Sequence, residues 1–250
     1  MTTGTRRAMG DDQRVPTSVG GKPAAPSSTS EVAAFLKAVE ARKPSSVVAG
    51  GGRLVFALDA TMSRQPTWDT ACALQGDMFQ EATAAGGLAI QLVYFRGLGE
   101  CRASGWVADG AHLSRLMRGI DCRGGHTQLA RVLRHVVNET ARRKVQALVY
   151  VGDAMEENLD SLCAIAGELG LLGVPAFMFQ EGRDAVAERA YREIARLTRG
   201  AYCRFDAGSA RQLGELLRAV AAYAAGGRAA LAALSQRRNA GALHLLEQLK

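Results

Sequence analysis

Residues 54–58, Leu-Val-Phe-Ala-Leu, form an unbroken apolar run that ends in Asp59. A half-buried strand alternates apolar and polar side chains. A continuous run predicts a strand buried on both faces, as in a parallel sheet covered by helices. Open α/β sheets bind ligands at the carboxyl edge, in the loops that leave such strands. The loop here reads Asp59-Ala60-Thr61-Met62-Ser63. It offers one carboxylate and two hydroxyls at alternate positions, all hard oxygen donors suited to Mg²⁺, Mn²⁺ or Ca²⁺.

Further strand and helix patterns alternate along the chain. Pro66 suits the first turn of a helix, and Trp68, Cys72, Met78, Phe79 and Ala82 continue it as an apolar stripe. Leu88 to Phe95 reads as a strand. Cys101 to Val107, after the Gly97-Leu98-Gly99 turn, reads as an antiparallel edge strand. A short helix over Ala111 to Met117 and a long one carrying Leu129, Val132, Leu133, Val136 and Val137 follow. Strands are expected at Ala147 to Val151, Val174 to Phe179 and Ala201 to Phe205. Helices are expected over Leu159 to Leu169, Ala185 to Leu197 and Leu213 to Tyr223. This order predicts an α/β fold: a doubly wound, mostly parallel sheet flanked by helices, with right-handed crossovers.

Domain limits follow from composition. Residues 1–28 are rich in Gly, Pro, Ser and Thr and poor in bulky apolar side chains, so a disordered tail is expected. Residues 29–49 read as an N-terminal helix and linker, with Ser30 as its N-cap. The main domain spans residues 50–225. Gly226-Gly227 breaks its last helix, and residues 226–250 read as a C-terminal helical tail.

Two more loops can join the first at the carboxyl edge. One places Thr127 before the long helix, and the other places Asp153 after the buried strand at Ala147 to Val151. Asp59, Thr61, Ser63, Thr127 and Asp153 together supply two carboxylates and three hydroxyls. That set can hold one Mg²⁺ and leave a position open.

On these residues the chain resembles the von Willebrand factor type A domain with its metal-ion-dependent adhesion site. That family's pattern is Asp-x-Ser-x-Ser in the first loop, Thr in the second and Asp in the third. The likeness covers residues 50–225, with Thr61 in place of the first Ser, Ala154 after Asp153 where many members have Gly, and His126 just before Thr127. It implies a six-stranded sheet of order 3-2-1-4-5-6 with strand 3 antiparallel. It implies Mg²⁺ or Mn²⁺ as cofactor, ahead of Ca²⁺. Thr61 and Ser63 would ligate directly, Thr127 would join or leave the shell, and Asp59 and Asp153 would act through water. The open position would accept an Asp or Glu carboxylate from a protein partner, in a bacterial cytoplasmic assembly.

Other classes fit less well. A haloacid-dehalogenase-like phosphatase needs Asp-x-Asp, and Thr61 stands at the second position. A dinucleotide site needs Gly-x-Gly-x-x-Gly after the strand, whereas Gly50-Gly51-Gly52 precedes it, and no P-loop is present. No nucleophile–histidine–carboxylate triad is legible. The expected protein is therefore not an enzyme. The alternatives are a metal-dependent hydrolase using the same loops, with His126 as its base, and a scaffold acting through its tails.

The formal charge of +7 is concentrated at the ends: +2 in residues 1–30 and +3 in residues 226–250, against +2 in the long remainder. A folded surface built for phosphate backbones carries its excess in the domain itself, so nucleic acid is disfavoured as a partner. No apolar run reaches the length of a membrane span. Residues 1–30 contain no apolar stretch of the kind a secretory signal has, and the cytoplasm is the expected compartment. Cysteines 72, 101, 122, 163 and 203 are odd in number and widely spaced, which predicts reduced thiols and excludes a Cys-x-x-Cys zinc site.

Overall fold

The computed structural model describes residues 52–65, 68, 88–206, 210–237 and 239–249. The expected tail at 1–28, the expected helix and linker at 29–49, and the helix expected after Pro66, apart from Trp68, lie outside the described residues.

Six strands form one sheet: β1 (Arg53–Asp59), β2 (Ala89–Arg96), β3 (Glu100–Val107), β4 (Ala147–Gly152), β5 (Ala176–Glu181) and β6 (Ala201–Phe205). Their order is β3-β2-β1-β4-β5-β6. Every pairing is parallel except β2 with β3, which are joined by the tight Gly97 turn. The described helices are α1 (Gly110–Arg118), α2 (Leu129–Arg142), α3 (Leu159–Leu171), α4 (Ala185–Leu197), α5 (Ala210–Gln236) and α6 (Ala240–Gln248). This is the doubly wound α/β fold that the sequence pattern predicts, in the order 3-2-1-4-5-6 that the resemblance implies.

The apolar run of β1 has a direct structural cause. Leu54, Phe56 and Leu58 face one side of the sheet and pack with Leu113 and Met117 of α1 and with Leu216, Leu217 and Val220 of α5. Val55 and Ala57 face the other side and pack with α2, α3 and α4 through Val132, Leu133, Leu162 and Ile194. Both faces are dry, so neither parity can be polar. Each fully buried Leu or Phe contributes about 1.5–3 kcal/mol of transfer free energy.

β5 begins two residues later than its apolar pattern suggests. Pro175 has no N–H to give to a ladder, and the strand starts at Ala176, whose N–H donates to Thr198 Oγ1 at 3.1 Å. The strand also runs on through Gln180 and Glu181, both buried. Gln180 is satisfied by the Tyr202 hydroxyl and the Asp184 carbonyl, each at 2.7 Å.

α5 continues as helix on both sides of a kink at Gly226-Gly227, where Gly227 has φ +65°. Beyond the kink, Leu231, Ala242, Leu245 and Leu249 join the same core as Leu54 and Phe56. Gly241 lies inside α6. A Cβ there would sit 2.6 Å from the Glu215 carbonyl carbon, so the glycine permits close approach of α6 to α5. The Gln248 amide brackets the backbone of edge strand β6, accepting from Tyr202 N–H at 2.9 Å and donating to Tyr202 O at 3.0 Å.

Cys101, Cys122, Cys163 and Cys203 are free thiols, and Cys72 lies outside the described residues. Both tryptophans pack in the protein: Trp68 is buried and donates to Ile120 O at 2.8 Å, and Trp106 donates to Glu139 Oε2 at 2.9 Å. No helix among the described residues is long and apolar enough to cross a membrane.

Candidate metal centre

Asp59 is the last residue of β1 and is fully buried. Its Oδ1 accepts the Thr61 N–H at 2.8 Å. Its Oδ2 is buried with no hydrogen-bond partner among the described residues. Burial pushes this carboxyl up to about 6. The Thr61 hydrogen bonds oppose the rise, the Asp153 carboxylate adds to it, and the Arg64 guanidinium opposes it.

Thr61 caps a 3-10 turn, Met62–Arg64, in an extended conformation. Its Oγ1 lies 3.1 Å from Ser63 Oγ. Thr61 is buried while Ser63 and Met62 are exposed, so the two hydroxyls sit at the boundary with solvent. The loop before α2 is stitched alongside: Arg123 N–H donates to Ala60 O at 3.0 Å, and Thr61 and Arg123 form an isolated parallel bridge. Its other flank presses on the β2–β3 turn. A Cβ on Gly125 would lie 2.0 Å from Gly97 O, which only glycine tolerates.

Thr127 is buried just ahead of α2, whose N-cap position is Gln128. Its N–H donates to Glu156 Oε2 at 3.1 Å, and Glu156 N–H donates to Thr127 Oγ1 at 3.0 Å. His126 is exposed, with Nδ1 3.0 Å from the same Glu156 oxygen. Asp153 follows β4, and its Oδ1 is buried with no hydrogen-bond partner among the described residues. The Tyr191 hydroxyl donates to Ala154 O at 2.6 Å and fixes the chain just after Asp153.

The structure thus links Asp59, Thr61 and Ser63 by hydrogen bonds and sets Asp59 and Asp153 within electrostatic reach of each other. Thr127 joins the Asp153 loop through Glu156. Cys122 lies close enough to feel both aspartates, and burial above all pushes its thiol up to about 11. Among the described residues, no group of three or more His, Cys, Asp or Glu is placed to hold a metal. The candidate centre is of another kind, two carboxylates with three hydroxyls. Two buried carboxylate oxygens without donors are a costly arrangement for a protein alone. They fit a bound cation, and the all-oxygen set fits a hard one.

Arg64 is not legible as a site residue in the sequence, and of Glu156 and Glu157 only their acidity beside Asp153 is legible. Arg64, next to Ser63, is 1 % exposed and pairs with Glu181 at 2.6 Å. Glu156 and Glu157 stand beside Asp153, where either added negative potential at the site or the acidic first turn of the following helix would be expected, but α3 starts at Leu159 with Asn158 as its cap. Glu157 instead accepts the N–H groups of Leu129 and Ala130 and caps α2. Charged residues read from sequence default to solvent, and the partners of these three come from distant segments.

The sequence matches no protein-family model and no curated protein sequence. Solved structures do match, and they define the fold as that of von Willebrand factor type A domains. One is a von Willebrand factor type A protein from Catenulispora acidiphila, with a TM-score of 0.57 at 19% identity over 71% of this chain. This chain spans 43% of the length of that protein. Another is the vWF domain of the type V pili tip protein Mfa5 from Porphyromonas gingivalis, with a TM-score of 0.56 at 11% identity, over 70% of this chain and 95% of that one. The SpRpn10 VWA domain aligns with a TM-score of 0.51 at 10% identity, over 63% of this chain and 89% of that one.

Proposed function

We propose that this chain is a metal-dependent protein-interaction module of the cytoplasm. In this reading a Mg²⁺-type ion is held by Asp59, Thr61, Ser63, Thr127 and Asp153, and an Asp or Glu side chain of a protein partner is the ligand. The observation that carries the reading is the pair of buried, unpartnered oxygens, Asp59 Oδ2 and Asp153 Oδ1, at the carboxyl edge of the sheet. Mn²⁺ serves equally well in such a set, and Ca²⁺ less well.

When bound, the divalent ion supplies an electrophilic centre that attracts a carboxylate. The chain supplies the rest. Thr61 N–H orients Asp59, and the 3-10 turn holds the Thr61 and Ser63 hydroxyls together. Glu156 fixes the Thr127 backbone and hydroxyl. Asp59 and Asp153 nominally balance a +2 ion, so an incoming anion meets no net negative charge from them.

Turnover is not part of this reading. Hydrolysis needs a nucleophile poised against a base or a second metal. His126 with Glu156 is the one base candidate at this edge among the described residues.

The test uses purified protein. Titration calorimetry should show one Mg²⁺ or Mn²⁺ site, lost in Asp59→Asn. Peptides selected on the Mn²⁺-loaded protein should carry a required Asp or Glu and should be released by chelator. No metal uptake at millimolar Mn²⁺ would refute the reading. Mg²⁺-dependent cleavage of phosphate esters, abolished in His126→Ala, would put the hydrolase in its place.

A further inference from the structure

Tyr191 lies midway along α4, and its side chain is fully buried in the apolar cluster that α2, α3 and α4 form against the sheet. A phenylalanine would fill that space with no polar atom to satisfy, so packing alone does not call for the hydroxyl. The hydroxyl donates to Ala154 O at 2.6 Å. A phenol has one proton. The Ala154 contact takes it, because the Tyr150 hydroxyl is farther off, at 3.4 Å. Tyr150 meets Tyr191 edge to face, with ring centres 5.3 Å apart, and backs it from β4. Burial above all pushes both phenols up, so both stay protonated.

A buried phenol needs an acceptor, and many backbone carbonyls could serve. This one belongs to the residue after Asp153. Among the described residues, no backbone–backbone hydrogen bond outside the helices and strands reaches residues 153–155. Farther along, Met155 is anchored by its buried side chain and Glu156 by the Thr127 hydroxyl. The Tyr191 hydroxyl therefore ties down the stretch between the end of β4 and Met155. It also lies within electrostatic reach of both Asp59 and Asp153. Its proton nevertheless goes to the Ala154 carbonyl, and Asp59 Oδ2 and Asp153 Oδ1 keep no hydrogen-bond donor among the described residues. The hydroxyl holds the loop without occupying the oxygens that a cation would take.

We propose that Tyr191 is a positioning residue of the centre, which acts on Asp153 through the Ala154 carbonyl and does not touch the ion. Without the hydroxyl, the ion itself must order the Asp153 loop, and binding weakens by that entropy. The inference rests on the metal reading above.

The test reads Mn²⁺ affinity on the full chain by electron paramagnetic resonance, with circular dichroism to confirm folding. Tyr191→Phe should bind Mn²⁺ about tenfold or more weakly. Thr198→Val is the control. Thr198 ends the same helix at the amino edge of the sheet, where its buried hydroxyl donates to Ile194 O at 2.8 Å and accepts the Ala176 N–H at 3.1 Å. This variant should lose stability yet keep its Mn²⁺ affinity within about twofold of the wild type. A second arm needs no variant. In the wild type, Mg²⁺ should slow amide exchange around Tyr191 more than around Thr198, because an ion that orders the Asp153 loop also holds the acceptor of the Tyr191 hydroxyl. A Tyr191→Phe protein that binds Mn²⁺ like the wild type, a Thr198→Val protein equally impaired, or Mg²⁺ protection equal along α4 would overturn the proposal while leaving the metal reading intact. A wild-type protein that takes up no Mn²⁺ would overturn both.

Discussion

Thr127 and Glu156 hold each other through a reciprocal pair of hydrogen bonds. The Thr127 N–H donates to the Glu156 carboxylate at 3.1 Å, and the Glu156 N–H donates to the Thr127 hydroxyl at 3.0 Å. The two loops that carry Thr127 and Asp153 are thereby fastened without a metal. The Thr127 hydroxyl already accepts one hydrogen bond, so its remaining lone pair and its proton define what else it can engage.

Glu156→Ala should loosen this fastening. It removes the acceptor for Thr127 N–H and for His126 but leaves the Glu156 N–H in place. The expected loss is about 1–2 kcal/mol of unfolding free energy in chelator, read by urea denaturation. Mn²⁺ affinity should fall several-fold in the same variant. Glu156→Gln keeps an acceptor oxygen and should recover most of both. Equal behaviour of the Ala and wild-type proteins would mean that the Glu157 cap on α2 holds the loop by itself.

Asp59 gives the metal-free protein a pH dependence of definite sign. Its folded carboxyl is raised to about 6 by burial, from an ordinary value of 3.8. The folded state therefore binds more protons than the unfolded state between those values, and stability falls as pH rises through the window. The contribution is about 3 kcal/mol, fully lost above pH 7. In chelator, Asp59→Asn should remove this slope and should be more stable than the wild type at pH 7.5. Its folded structure should persist, because Asp59 Oδ2 makes no bond that Asn must replace. An unchanged slope in Asp59→Asn would show that the carboxylate is not the group that titrates.

The sheet and the three loops were legible because their signals are local. The run 54–58 announces a strand dry on both faces, and Asp59, Thr61 and Ser63 follow within one turn of chain. Thr127 and Asp153 stand at element boundaries that apolar periodicity marks well. Arg64 and Glu181 were not legible, because the two meet as buried ions only once the chain has folded, across β4. The role of Glu157 was not legible for a related reason: it sits where the first turn of the next helix would be expected but caps α2 instead. Gln180 and Glu181 hid the true end of β5, since Gln180 is hydrogen-bonded to Tyr202 and Asp184, and Glu181 is buried against Arg64 rather than solvated. The spacing of Leu231, Leu234, Leu243 and Leu246 announces helices, but not that Leu231, Leu245 and Leu249 close the same core as β1 while Leu243 stays exposed.

Gly241→Ala should destabilise the protein although alanine is the better helix former by about 1 kcal/mol. The added Cβ would meet backbone atoms of Glu215 and Leu216 at 2.6–2.7 Å, and backbone cannot swing aside. A net loss of about 1–3 kcal/mol is expected in urea denaturation, as for other overpacked sites. A gain in stability would mean that α6 is held loosely against α5.

The amino end of β1, far from the candidate centre, carries a buried ion pair of its own. Arg53 Nη2 donates to Glu139 Oε2 at 2.9 Å, and its guanidinium lies 3.7 Å from the centre of the Trp106 ring. Glu139 also accepts from Trp106 Nε1 and from Arg142, each at 2.9 Å. Burial pushes the Glu139 carboxyl up, but the hydrogen bonds from Trp106 and Arg53 outweigh it and hold the group below its ordinary range. The Glu139 carboxylate is thus shared by α2, β1 and edge strand β3. Glu139→Ala strands the Arg53 charge and the Trp106 N–H together and should cost about 3–5 kcal/mol. Arg53→Met combined with Glu139→Leu removes both charges and should be the more stable of the two variants, although Trp106 still loses its acceptor. Neither change should alter Mn²⁺ affinity by more than about twofold, because Arg53 and Asp59 sit at opposite ends of β1, about 20 Å apart at 3.3 Å per residue. Denaturant melts and Mn²⁺ titrations on the same two proteins decide the matter. A large change in metal affinity here would show that stability lost anywhere along β1 reaches the centre.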